Sequence, residues 1–180
     1  MTVRIALLRA VNVGGTGKLA MAEVRDFFDT LGFPNARTLI QTGNVVFECD
    51  ERPGEELEAF LEAEVVKRLG LDTAFFTRTP NEWDDLIGGN PYPEKAKDDP
   101  RRLFAMVLKS TPTEKAINAL EEAVSGPERF RASGRHLYID YTDGMGSSKL
   151  TNVLIERKLE TRGTARNWNT VLRIADMAKC

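Results

Sequence analysis

Two short segments combine glycine, hydroxyl side chains and a lysine in an order that suits an anion. Gly14-Gly15-Thr16-Gly17-Lys18 follows a brief apolar run, and Asp143-Gly144-Met145-Gly146-Ser147-Ser148-Lys149 repeats the same succession of residue types. Glycine lets a backbone approach a ligand closely, and the N–H groups at a helix start favour negative charge. Lys18 falls in what reads as a first helical turn, where a cation opposes the macrodipole by roughly 0.3–1 kcal/mol, a cost that a bound anion would offset. The first segment is not a Walker A loop, because Asn12 stands where the first glycine belongs and Leu19 where Ser or Thr belongs, and it does not complete the dinucleotide fingerprint. Both segments also fit plain capped helix starts, with Thr16 in one and Ser147 or Ser148 in the other as the cap. Ser148 and Lys149 are adjacent and diverge on a helix surface, which argues against a Ser–Lys nucleophilic dyad.

A third group is Arg166-Asn167-Trp168-Asn169, a cation, two amides and a large aromatic in four residues. Arg166 suits carboxylate or phosphate recognition and Trp168 a stacking platform. The same residues fit a helix cap at Asn167 or Asn169, with Trp168 filling a seam between two halves. Arg129, Arg131, His136 and Tyr138 fall on one face of an expected hairpin, a face that would suit RNA if open and is otherwise a solvated strand face. His136 is the sole histidine, and no Cys, His, Asp or Glu cluster has ligand spacing, so neither a structural metal nor a metal-assisted hydrolase is expected. No cofactor is indicated, and no set of side chains forms a catalytic constellation.

The elements that must position these groups follow from periodicity. Val3 to Arg9 reads as a strand, and Lys18 to Leu31 as a helix with Val24, Phe27, Phe28 and Leu31 on one stripe and Gly32 beyond its end. Ala36 to Gln41 and Val45 to Cys49 flank Gly43-Asn44, a two-residue hairpin signal that would pair Thr42 with Val45, Ile40 with Phe47 and Thr38 with Cys49. Gly54 to Leu69 is helical and Asp72 to Arg78 extended. Thr79-Pro80-Asn81-Glu82 is a capping box that opens a further helix. After a polar stretch with Pro91, Pro93 and Pro100 the order returns. Arg102 to Lys109 is a strand, and Thr111-Pro112-Thr113-Glu114 a second capping box. Arg129 to Ala132 and His136 to Tyr141 form a hairpin through a Gly134 turn, with Phe130, Ala132, Leu137 and Ile139 on one face. Ser147 to Glu160 is helical, Thr164 to Arg166 extended, and Trp168 to Ala178 a closing helix.

Each half therefore reads strand, helix, strand, strand, helix, strand, helix. The expected class is α+β: a tandem duplication of two ferredoxin-like (split βαβ) subdomains, each βαββαβ plus an extra helix. The expected boundaries are 1–88 and 102–180, with 89–101 as a linker. Composition is that of an ordinary folded protein, 42% hydrophobic and 29% charged. No run approaches the roughly 20 apolar residues that span a bilayer, and Met1 to Leu8 lacks a signal-peptide core. Cys49 and Cys180 are the only cysteines, so free thiols and a cytoplasmic setting are expected. A net charge of −2 argues against a broadly basic nucleic-acid binder.

Four stretches together resemble the bacterial domain-of-unknown-function family 1697, whose members read ALLRGINVGG, QSGNVVF, GRSKL and TRNWNTV. Here they run Ala6 to Gly15, Gln41 to Phe47, Gly146 to Leu150 and Thr164 to Val171, with Ala10 for a glycine, Thr42 for a serine and Ser147 for an arginine. The resemblance implies a fold and a length, and no activity or catalytic residue comes with it. The ligand-binding candidates are Arg9, Asn12, Gly14, Gly15, Lys18, Gln41, Asn44, Ser148, Lys149, Arg166, Asn167, Trp168 and Asn169. The leading expectation is a small anionic ligand, a nucleotide or phosphorylated metabolite, bound where the halves meet. An RNA-binding module and an interaction protein without a small-molecule site are the alternatives.

Overall fold

A computed structural model describes residues 1–9 and 19–180. It is a mixed α+β protein with two four-stranded antiparallel sheets. Two units are distinct, one of Met1–Asp84 with Ile174–Cys180 and one of Asp85–Arg173.

In the first unit the strands are β1 (Thr2–Leu8), β2 (Arg37–Leu39), β3 (Asn44–Cys49) and β4 (Phe75–Arg78), with α1 (Met21–Thr30) after β1 and α2 (Gly54–Leu69) after β3. Their order across the sheet is β2-β3-β1-β4, every neighbour antiparallel. Helix α3 (Pro80–Gly88) follows, opened by the capping box read from the sequence: Glu82 N donates to Thr79 Oγ1 at 3.1 Å and Thr79 N to Glu82 Oε2 at 2.8 Å. One face of the sheet carries Ala6, Leu8, Val45, Phe47 and Phe75, packed on Val24, Phe27 and Phe28 of α1 and Leu57, Leu61 and Val65 of α2. Phenyl rings knit this layer, with Phe28 and Phe47 centroids 4.6 Å apart. The opposite face is apolar too, and Ile5, Leu7, Val46 and Phe76 are buried.

The second unit repeats the arrangement. Its strands are β5 (Leu103–Leu108), β6 (Arg129–Ser133), β7 (His136–Asp140) and β8 (Gly163–Asn167), ordered β6-β7-β5-β8, with α5 (Glu114–Ala123) and α6 (Asn152–Leu159). Met106, Leu108, Leu137 and Ile139 form its core with Leu120, Tyr141, Ile155 and Leu159. Ala105, Val107 and Tyr138 on the other face are buried as well. Helix α7 (Trp168–Lys179) closes the chain.

Several expected details shift. The first hairpin turns through four residues rather than two, so Thr38 pairs with Val45 and Leu39 with Asn44. The cause is Asn44, whose buried amide donates to Leu39 O at 2.9 Å and Thr42 Oγ1 at 3.0 Å, while Ile40 and Gly43 take φ of 50° and 81° to close the turn. Because the slip is even, Val45, Phe47 and Cys49 still face inward. The cap of α5 is Thr113, not Thr111, since its hydroxyl accepts from Ala116 N at 3.1 Å and leads directly into the buried Ala116 and Leu120 stripe. Residues 89–101 belong to the second unit and contain a short helix, α4 (Pro93–Asp98). It is tied down by Lys95 Nζ, 3.3 Å from the buried Asp140 carboxylate, and by Tyr92, whose ring lies 4.9 Å from the Arg129 guanidinium.

Tight packing around β8 fixes one glycine. A Cβ on Gly163 would stand 2.6 Å from Met106 Cε and 3.0 Å from the Val107 carbonyl, so Gly163→Ala should destabilise the protein by about 1–3 kcal/mol in equilibrium unfolding. Burial also raises the phenols of all three tyrosines, Tyr92, Tyr138 and Tyr141, above their ordinary value. Tyr138 and Tyr141 donate to the Leu86 and Leu150 carbonyls at 2.6 and 2.9 Å. A raised phenol keeps its proton in the fold and loses it on unfolding, so this stabilisation is complete below the unfolded value of 10.0 and disappears as pH climbs through the folded values. Absorbance at 295 nm should therefore show no tyrosinate at the ordinary pKa, and tyrosinate should appear together with loss of circular dichroism; normal titration with the fold intact contradicts this.

Candidate functional site

The sequence candidates in the described residues differ in what their side chains do. Asn12, Gly14, Gly15 and Lys18 lie outside the described residues. Arg9, the residue after β1, is half-buried; its N–H donates to Ala74 O at 3.0 Å and its carbonyl accepts from the Thr73 hydroxyl at 2.7 Å. Gln41 is exposed on the first hairpin turn, and Asn44 is the buried clasp of that turn.

The group at 166–169 serves the fold. Arg166 is 7% exposed and donates from Nη1 to Thr164 Oγ1 at 2.7 Å and Ala165 O at 2.9 Å; burial pushes its guanidinium down to about 10. Asn167 caps α7 by accepting from Asn169 N at 3.1 Å. Its amide also donates toward the carbonyls of Pro100 and Arg101 at 3.1 and 2.9 Å, which ties β8 to the short helical turn before β5. Trp168 is buried with its ring 6.5 Å from that of Tyr138, and Asn169 is exposed.

The expected strand face at Arg129, Arg131, His136 and Tyr138 has the predicted register, Arg131 opposite Tyr138 and Phe130 opposite Ile139. It is only partly open: Arg129 and Arg131 are exposed on β6, as on a solvated strand face, and His136 is half-buried. Tyr138 is 1% exposed beneath Leu86 and Trp168, and Arg129 is engaged by Asp140 at 2.7 Å. Base stacking on a sheet needs exposed aromatic rings, and this one offers none.

The second glycine-lysine loop differs from its expected form and gains a cavity. No α-helix begins at Ser147: a single 3₁₀ turn covers Met145–Ser147, and α6 starts at Asn152, capped by Thr151, whose hydroxyl accepts from Leu154 N at 3.2 Å. Lys149 is therefore not in a helical first turn, and the dipole argument does not apply to it. Instead the loop folds against residues 125–128 around a cavity of about 300 Å³. Ser148 Oγ donates to Glu128 Oε1 at 2.6 Å and accepts from Leu150 N at 3.0 Å. Glu128 folds back over Gly126, where a Cβ would come within 2.3 Å of its Oε2, and it helps burial raise the Tyr141 phenol. Ser147 Oγ donates to Asp143 O at 3.2 Å. Lys149 and the carboxylates of Glu128 and Asp143 line the opening, a mixed-charge rim able to take an anionic group on one side and hydroxyl or ammonium donors on the other. The 125–128 turn carries no sequence motif, and its role comes from tertiary packing.

A second cavity of about 290 Å³ lies in the first unit beside Asn35, Arg37, Glu48 and Cys180. Among the described residues, no group of three or more His, Cys, Asp or Glu side chains could hold a metal ion, and no helix is long and apolar enough to cross a membrane.

Among curated proteins none matches the chain. Among solved structures it is similar to the conserved bacterial protein SP0830 from Streptococcus pneumoniae, at 20% identity and a TM-score of 0.74, with 98% of each chain covered. At that identity the likeness concerns the fold. Residues 1–138 match the family described as Protein of unknown function (DUF1697), and the chain belongs to that family.

Proposed function

We propose that the protein binds a small phosphorylated or carboxylated metabolite in the cavity between residues 125–128 and 143–149. The observation that carries this reading is the meeting of the second glycine-lysine loop with a cavity whose rim holds Lys149, Glu128 and Asp143. Lys149 is the anion's partner, and the two carboxylates accept from hydroxyl or ammonium groups on the same ligand. Two acids against one base disfavour a polyphosphate, so the ligand is a monoanion or monophosphate rich in hydrogen-bond donors rather than a nucleoside triphosphate.

The scaffold is a duplicated ferredoxin-like fold, each half βαββαβ plus a helix. The matching orders β2-β3-β1-β4 and β6-β7-β5-β8 support this. So do positions related by a constant offset in the first strand of each half. Ile5 pairs with Arg78 as Ala105 pairs with Arg166. Leu8 N donates to Gly43 O as Leu108 N donates to Arg135 O, both at 2.9 Å. Arg9 N reaches Ala74 O as Lys109 N reaches Arg162 O, at 3.0 and 2.9 Å. Arg78 and Arg166 are both buried and both donate Nη1 to the preceding carbonyl, at 2.7 and 2.9 Å, just before a helix cap. The free thiols support a cytoplasmic setting, and the bacterial structural relative supports a bacterial one.

A thermal-shift panel of sugar monophosphates and phosphorylated amino acids tests the site, with inorganic sulfate as reference. At least one panel member should raise the melting temperature, and Lys149→Ala should weaken its binding by roughly ten- to a hundredfold, the worth of a charge-assisted hydrogen bond. No shift across the panel, or binding indifferent to both Lys149→Ala and Asp143→Asn, overturns the proposal.

A further inference from the structure

Strand β4 is an edge strand, paired on one side with β1. An edge presents alternate N–H groups that can template another strand. Here each successive outward N–H of the row meets a carboxylate. Phe75 N donates to Glu62 Oε1 at 2.9 Å, Thr77 N to Glu58 Oε1 at 2.7 Å, and Thr79 N, just past the strand, to Glu82 Oε2 at 2.8 Å. The Thr77 hydroxyl lies 3.3 Å from the same Glu58 oxygen. The match is geometric. Glu58 and Glu62 stand four residues apart on α2, a rise of about 6 Å, and Phe75 and Thr77 stand two apart in a strand, about 6.7 Å. Glu58 is only 4% exposed, and Arg78 Nη1 lies 3.9 Å away to balance its charge.

We propose that Glu58, Glu62 and Glu82 form a carboxylate seal on the β4 edge, whose function is to prevent a second copy of this chain from adding its own β4 to the sheet. The occupant being excluded is a second copy because Phe75-Phe76-Thr77 is a strongly strand-forming segment, and antiparallel pairing of β4 with β4 closes as a two-fold dimer. The carboxylates block that pairing by occupying the N–H donors that it would need.

The test uses the full chain. Glu62→Ala removes the acceptor of the Phe75 amide while leaving the Glu58 to Arg78 pair in place, and Glu62→Gln keeps an acceptor oxygen on the side chain. Glu62→Ala should raise the hydrogen-exchange rate of the Phe75 amide about tenfold in dilute protein and show concentration-dependent growth in mass by light scattering. The Glu62→Gln variant should keep the wild-type exchange pattern, and Glu64→Ala, on the same helix but paired with Arg68, should change neither readout. A natively folded Glu62→Ala protein whose mass and Phe75 exchange both match wild type overturns the proposal. Should that variant not fold, the wild-type chain decides: protected Phe75 and Thr77 amides support the seal, and exchange at the rate of an open edge refutes it.

Discussion

Burial of the two central strands on both faces is the constraint from which the rest of the architecture follows. Ile5, Ala6 and Leu7 are all fully buried in β1, and Leu103, Met106 and Leu108 likewise in β5. An antiparallel sheet commonly keeps one wet face, and its strands then alternate apolar and polar residues. Here the strands read as near-continuous apolar runs, so each sheet needs cover on both sides. In the first unit α1 and α2 cover one face with phenyl rings. In the second unit Trp168, Leu86 and the Tyr92 to Lys95 stretch lie over the face that the hairpin register had left for solvent. Tyr138 therefore offers no open ring on which a base could stack.

That packing explains which parts of the fold were legible in the residues. The β6–β7 register followed from inward Phe130, Ala132, Leu137 and Ile139, because a hairpin closed by Gly134-Arg135 has a local rule. The Thr79 capping box and the Gly32 and Gly70 helix ends were local as well, and all are present. The first hairpin slipped because a buried side chain, Asn44, reached back across the turn and outweighed the Gly-Asn signal. Helix α4 hid inside a proline-bearing polar stretch, since what holds it is an ion pair with Asp140, some forty-five residues away in the chain.

The candidate site divided along the same line. Arg166-Asn167-Trp168-Asn169 looked like a recognition motif because caps, buried cations and stacking platforms use the same residue types; only the partners tell them apart, and Asn167 spends its amide on backbone carbonyls. The Asp143 to Lys149 loop was visible as a motif, yet its companion at residues 125–128 was not. Gly126 and Glu128 acquire meaning only when the carboxylate folds over the glycine and takes the Ser148 proton in a hydrogen bond. Local chemistry was readable, and pairings set by distant packing were not.

The claim that the aromatic face at Tyr138 is closed is tested most directly by acrylamide quenching of tryptophan fluorescence. The chain has two tryptophans, Trp83 at 1% and Trp168 at 3% exposure. The account predicts blue-shifted emission and a Stern–Volmer slope several-fold below that of the urea-unfolded chain. A native slope equal to the unfolded one would show that Trp168, the ring beside Tyr138, is open to solvent, and would contradict it.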